Sequence, residues 1–482
     1  MPPDPRDYAP DFAGAMMDES VKRYHKLVKE IDPEAAFLHR AMFDDGRVDR
    51  AAAFQASRWW FPDTGEYDLF FDHPIDLVHG ETHNALTGGR GQLGKPYGSG
   101  AAMKLARRLP WGTVPIDIVH TAPGLNWRHT GLPAPEHRFW MAQVPANGGQ
   151  IWHSLTGIPD NILDQEQLES IRYINRRIEA VEPLMHTGTS AAQVAVLWNN
   201  VTGHGWLEGL TEAGIPYDLL LSWQVEREGI PSRFRWLICP ERGAYFPGVV
   251  EAIQRFVTLG GGVVLSGRVE DPALRELAGL TGPQQESEPL WTGYLKIENQ
   301  KLRERAGVAP LVPLAGNVLY CPMALDAQCL ASLAPPFAPP QGSGSPPERA
   351  VLPKVEVPWP MITRREKVLY FAAPYHELLE RYGLLSHLKL LDALLDGPRL
   401  VKIIGAAGVQ LSVFQVEGGY LVHLVNGAGQ RPLQSVTKIH QARLLVTLPD
   451  QESLVAAQWM FSSDTIIWEE TRAGISLSLP PM

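Results

Sequence analysis

The stretch Leu77, Val78, His79, Gly80, Glu81, Thr82, His83, Asn84 begins as an apolar strand and ends in a carboxylate flanked by imidazoles and an amide. Side chains alternate along a strand, so Leu77, His79 and Glu81 share one face. A carboxylate at an inward strand end offers acid, base or nucleophilic chemistry. Glu81 is the candidate catalytic group, and His79, His83 and Asn84 are candidates to bind a polar substrate. His120 closes the run 114–121 and is followed by Trp127, Arg128 and His129; Trp152 and His153 close the run 150–154, and Arg40 and Asp44 stand near the end of the run 35–42. Aromatic faces stack on sugar rings while His, Asn and Arg bind hydroxyls, the polar and apolar mix of a ligand pocket. Each of these residues taken singly is more often a packing residue. Gathered on successive strand ends, they favour a site.

Those strand ends must be brought together by a common sheet. The centres of four apolar runs, Leu38, Leu77, Ile118 and Ile151, lie roughly 33 to 41 residues apart, the period of strand-helix units in a (β/α)8 barrel. Helical spacing is expected at 18–31, 48–58, 100–108, 136–144 and 164–180. One leading helix and four units make half a barrel, the C-terminal half. In barrels the active site lies at the C-terminal strand ends, where Glu81, His120 and His153 would face a common cavity. Asp117 alternates away from His120 and is expected to be structural. Glu136 falls at a helix start, where a carboxylate complements the dipole.

The stretch 193–267 reads as short apolar strands (194–198, 217–221, 235–239, 262–266) alternating with helices (206–213, 249–259), the pattern of a parallel sheet covered on both faces. A doubly wound domain is expected here, completed by strands within 290–323, a strand at 368–373 and one long helix over 376–395. Residues 332–350 form a Pro/Gly/Ser-rich loop. From Leu400 the pattern changes to period-two alternation, with strands expected at 411–415, 420–425, 442–448, 456–460 and 474–479, a small β-sandwich. The fold class is α/β: half barrel over 1–185, doubly wound flavodoxin- or amidotransferase-like domain over 190–397, β-sandwich over 398–482.

The chain has 482 residues and a net charge of −10, with no run of Lys or Arg, which argues against a nucleic-acid partner. Cys239, Cys321 and Cys329 match neither a disulfide framework nor a zinc pattern. Neither a signal peptide nor an apolar run near the ~18 residues of a membrane span is present, so the cytoplasm is the expected location. Gly260-Gly261-Gly262 precedes a strand rather than opening a helix, so no phosphate loop is read there; no cofactor and no metal are expected. Cys239 is followed by Pro240 and Glu241, unlike the tight small-residue turn of a nucleophilic cysteine. His423 reads as a core histidine. Asn199, Asn200, His204 and Trp206 crown the first strand of the middle domain, an edge where open α/β sheets bind ligands but which here is expected to abut the barrel or a neighbouring subunit.

The order of units, with Ala-Asn-Gly-Gly at 146–149, Val-Ala-Val-Leu-Trp-Asn-Asn at 194–200 and Leu-Val-His-Leu-Val-Asn at 421–426, resembles beta-galactosidase-type glycoside hydrolases that carry the amidotransferase-like trimerisation domain. The resemblance covers nearly the whole chain. It implies a carbohydrate substrate and a homo-oligomer, a trimer. In such hydrolases one carboxylate follows the fourth barrel strand, before the part of the barrel recognised here. The nucleophile follows the seventh, where this chain reads Val119, His120, Thr121, Ala122. Proteins related to alpha-fucosidases, with carboxylates placed elsewhere, are a second resemblance.

Glycoside hydrolysis needs one carboxyl group to protonate the leaving oxygen and another to attack or to activate water. Two readings follow. The chain is a glycoside hydrolase-like protein acting on a neutral galactoside or fucoside, with Glu81 as one of the pair. Alternatively, it is a non-catalytic carbohydrate-binding or assembly subunit whose half barrel is completed by a partner, or a truncated gene product.

Overall fold

The computed structural model describes residues 23–33, 35, 38–44, 77–82, 96–108, 115–124, 126–155, 157, 161–198, 202–241, 245–335, 359–449, 452–462, 466–472 and 474–482; for 38–44, 77–82, 223 and 291–292 it describes the backbone alone. The expected helix 48–58, most of the loop 332–350 and the residues His83, Asn84, Asn199 and Asn200 lie outside the described residues.

Strands β1 (Leu38–Asp44), β2 (Leu77–Thr82), β3 (Pro115–His120) and β4 (Gln150–Ser154) form one parallel sheet in chain order. The helix Gly98–Ala106, between β2 and β3, is buried along its whole length. The helix Ala134–Ala146 joins β3 to β4, starting on Pro133 and Ala134 with Pro at its first turn, where the missing N–H costs nothing. The helix Gln165–Met185 follows β4 and is capped by the Asp164 carboxylate, which accepts from the Glu166 N–H at 3.1 Å. Residues 23–31 are helical, as the apolar spacing of the N-terminal stretch predicts.

The second sheet has nine strands, in the order Leu311–Gly316, Leu290–Ile297, Gln328–Ala334, Pro360–Arg365, Val368–Phe371, Gly262–Ser266, Trp236–Cys239, Val194–Leu197, Tyr217–Leu220. From Val368–Phe371 to Tyr217–Leu220 the pairing is parallel, and the other four strands extend the sheet antiparallel. Every residue of the five parallel strands is buried, as helices on both faces require. Trp206 is packing rather than site: it is fully buried, stacked on Tyr375 at 5.9 Å and edge-on to Phe371 at 5.4 Å. The expected single helix 376–395 is two, Tyr375–Arg381 and Leu385–Leu394. Gly383 breaks it with φ 49°, a conformation glycine adopts without strain.

Two antiparallel sheets close the chain. One contains Val401–Ile404, Arg443–Val446, Gly474–Ser478 and Ile467–Thr471; the other pairs Gly419–Asn426 with Val409–Val416 and the short Thr189–Ser190. Val401, Ile403, Val409, Leu411, Val413, Leu444 and Leu477 share one core between them. The strand expected at 456–460 is reduced to a single bridge residue, Gln458, and a strand that was not expected, Ile467–Thr471, pairs with Gly474–Ser478 across a short turn.

The first unit is bolted to the last through buried polar groups. Asn147 donates to Gln410 Oε1 at 2.9 Å and accepts from Ser412 Oγ at 3.0 Å. Glu136, fully buried in the first turn of its helix, accepts from Trp140 Nε1 at 2.9 Å, Leu433 N at 2.8 Å and the Arg431 guanidinium. The Ala-Asn-Gly-Gly segment therefore serves as a joint. Gly149 packs so closely on Met103 that an added Cβ would lie 2.2 Å from its sulfur.

Candidate active site

Parallel pairing fixes which residues of neighbouring strands lie in one row. Glu81 is in register with Ile118, and Ile118 with Trp152. Thr82 is in register with Val119, and Val119 with His153; His120 is in register with Ser154. Burial then tells the two faces of the sheet apart. Along β3 Pro115, Asp117 and Val119 are buried, whereas Ile116, Ile118 and His120 are half-buried. Along β4 Gln150 and Trp152 are exposed, Trp152 by 45%. Among the described residues one face is packed against helices and the other is the more open, and the more open one carries Ile118, His120 and Trp152.

His153 belongs to the closed face. Its Nε2 lies 3.1 Å from Asn175 Oδ1 on the helix Gln165–Met185, and its Nδ1 is buried without a hydrogen-bond partner. Burial lowers its pKa, opposed by the Asn175 hydrogen bond. The expectation that His153 shares a cavity with His120 is corrected by the pleat: adjacent residues on one strand point to opposite faces, and Trp152 takes the open one. His137, behind the same face, is 1% exposed with neither ring nitrogen hydrogen-bonded. Burial, His153 and Arg138 push its pKa down to about 3 against the pull of Asp164. Both imidazoles are therefore neutral at pH 7. Asp117 is fully buried on the closed face, the structural place expected for it.

The rim beyond the strand ends is built by hydrogen bonds between neighbouring loops. Thr121 N and Oγ1 donate to the Ser154 carbonyl at 3.1 and 3.3 Å, and Leu132 N donates back to the Thr121 carbonyl at 2.8 Å. Between them the loop carries Trp127, 53% exposed, and the exposed Arg128 and His129. Asp164 holds the far end of that loop by accepting from Gly131 N at 2.7 Å. Burial works against ionisation of Asp164, and hydrogen bonds from Gln167, Gly131 and Glu166 outweigh it, so its pKa is lowered. This clamp was not singled out from sequence, although an Asp just before a helical run is the signature of an N-cap.

Arg40, His79 and Glu81 are placed by backbone only, in paired strands: Arg40 is in register with His79, and His79 with Ile116. His83 and Asn84 lie outside the described residues. Among the described residues no group of three or more His, Cys, Asp or Glu side chains is arranged to hold a metal ion, and no helix is long and apolar enough to cross a membrane. Cys239 is 1% exposed at its strand end. His423 is a core residue, 3.2 Å from Met185 Sδ and edge-on to Phe414, with its pKa pushed down to about 4 by burial and by Lys104.

Comparison with protein families and with curated proteins finds no match. Solved structures are similar in fold. An alpha-L-fucosidase isoenzyme 2 from Paenibacillus thiaminolyticus superposes with a TM-score of 0.69 at 16% identity, over 96% of this chain and 69% of that one. A GH42 beta-galactosidase from G. stearothermophilus gives 0.58 at 12% identity, over 96% and 67%. A beta-galactosidase from the haloarchaeon Halorubrum lacusprofundi gives 0.51 at 13%, over 89% and 70%. The chain spans about two thirds of the length of these structures.

Proposed function

The chain has a beta-galactosidase-like glycoside hydrolase fold, and from that premise we propose that it acts on a neutral galactoside or fucoside at the open face of its first sheet. In this reading residues 1–185 are the C-terminal half of a (β/α)8 wall, 190–397 an amidotransferase-like trimerisation domain and 398–482 a β-sandwich. Glu81 is one of the two carboxylates of the hydrolysis, as acid, base or nucleophile. His120, Trp127, Arg128 and Trp152, with Arg40, His79, His83 and Asn84 from the preceding strands, bind the sugar. His153 is not among them; its role is to fix the helix behind the sheet through Asn175.

The observation that carries this reading is the asymmetry of the sheet. Parallel sheets are ordinarily covered on both faces, yet here, among the described residues, the face bearing His120 and Trp152 is the less buried one, and an exposed tryptophan beside polar strand ends suits a pyranose. The test is turnover of aryl galactosides and aryl fucosides by the purified chain. Glu81→Gln is expected to lower kcat by about a thousandfold or more; turnover at the parent rate would remove Glu81 from the pair. Light scattering is expected to give a particle of three chains, and a strict monomer would exclude the trimer.

A further inference from the structure

The C-terminal end of the helix Gly98–Ala106 meets the second sheet in a cluster with an excess of positive charge. Asp218, on the strand Tyr217–Leu220, is 1% exposed and pairs with Arg108 at 2.8 Å, Arg233 at 2.7 Å and Arg107 at 3.7 Å. Lys104, 5% exposed, lies on the ring of the adjacent Tyr217, its ammonium 4.9 Å from the centroid. Four cations thus surround one carboxylate, and among the described residues Asp218 is the one carboxylate that pairs with the three arginines. All this occurs in a chain whose net charge is −10.

Partial compensation is visible. The helix end contributes carbonyls with about half a negative charge, and Arg107 also donates to the Asn147 carbonyl at 3.0 Å and covers the Phe414 ring at 5.2 Å. It is incomplete: Arg108 Nε is buried without a hydrogen-bond partner. Burying like charges together is costly unless each is paired. Asp218 is held well below the usual carboxylate range because its cations outweigh burial, and Lys104 is pushed down to about 8 by burial and the two neighbouring arginines despite Asp218. The side chains of Arg107 and Arg108 remain 19% and 18% exposed and that of Arg233 36%, so the cluster is open to a small ion from solvent.

We propose that Lys104, Arg107, Arg108 and Arg233 form a binding site for a compact oxyanion of the phosphate class, seated beside Asp218 where the first sheet's helix meets the second sheet. Guanidinium groups match tetrahedral oxyanions by forked hydrogen bonds, and the partly exposed side chains of Arg107, Arg108 and Arg233 supply three of them. The place is distinct from the candidate active site. The helix Gly98–Ala106 returns from the C-terminal end of β2 to the N-terminal end of β3, so its last turn lies at the edge of the sheet opposite His120 and Trp152. A bound anion there would lock the joint between the two sheets without touching the sugar. The inference does not depend on the proposed hydrolysis.

Inorganic phosphate titrated into the full chain, with sodium chloride adjusted to hold ionic strength constant, provides the test by calorimetry and melting temperature. Saturable binding with a matching rise in melting temperature is expected, weakened by about tenfold or more in Arg108→Gln and in Arg233→Gln. Asp218→Asn separates a site from a self-contained ion cluster. It should melt lower without phosphate, regain stability with it and bind it more tightly, because the competing carboxylate is gone. A phosphate response no different from chloride, or Asp218→Asn that is destabilised and not rescued, would overturn the proposal. Hexose 6-phosphate binding more tightly than inorganic phosphate assigns a phosphorylated sugar as the source, and no tighter binding assigns free phosphate; both uphold the site.

Discussion

The molecule contains two stretches of sheet that are alike in parallel pairing and opposite in how the described residues are buried. In the second, Val194–Leu197, Trp236–Cys239 and Gly262–Ser266 are buried at every residue. In the first, burial alternates along β3, and β4 leaves Gln150 and Trp152 exposed. The same backbone arrangement serves a core in one case and presents a surface in the other. The distinction lies in side-chain chemistry. Val194–Leu197, Trp236–Cys239 and Gly262–Ser266 are aliphatic at their centres, while β3 and β4 place His, Gln and Trp on one face.

The contrast can be broken most forcefully in the core. Ile238 is fully buried, and Ile238→Ala is expected to cost about 2–5 kcal/mol, read as a lower denaturation midpoint with unchanged slope; a loss under about 1 kcal/mol would mean that the second sheet is less tightly packed than its burial implies. The closed face of the first sheet is sharpened by acid. His137, with its pKa pushed down to about 3, and His153, shifted the same way, bind protons more readily in the unfolded chain. Their contribution is whole above the ordinary histidine pKa near 6.5 and is lost as pH falls below it, at up to about 1.4 kcal/mol per pH unit for each. Denaturation between pH 7 and 4 should show this slope, and His137→Leu should flatten it; a variant with the parent's slope would place the effect elsewhere. The smallest effect belongs to the open face. Trp152→Ala should change stability by less than about 1 kcal/mol, and a melting transition displaced as far as that of Ile238→Ala would make Trp152 a core residue.

Much of this was legible in the sequence. The apolar runs centred on Leu38, Leu77, Ile118 and Ile151 are the four strands of the first sheet, because a short apolar run bounded by turns has few other uses. The parallel strands of the second sheet were equally plain. The side of the sheet taken by His153 was not: only one of the neighbours Trp152 and His153 can share the face of His120, and which one does is set by backbone pairing with β3. One residue of register separates Trp152 on the open face from His153 on the closed one. The antiparallel extension over 290–365 could not be ordered from local patterns, as its pairing joins segments far apart in the chain. Glu136 shows the same limit. Its helix-start position was readable, but its partners Arg431 and Leu433 lie almost three hundred residues away. The cationic cluster at Asp218 was missed for that reason too: Lys104, Arg107 and Arg108 read as the ordinary basic end of a helix until the second sheet brings Arg233 and a single carboxylate to them.

The central claim is that the open face of the first sheet binds a neutral sugar through Trp152. Calorimetric titration of methyl galactoside and methyl fucoside into the parent chain and into Trp152→Ala tests it most directly. The account predicts saturable binding of one of them by the parent, weakened by about tenfold or more in the variant, with both proteins equally folded. Equal affinity in the two proteins, or no saturable binding of either sugar to the parent, would contradict it.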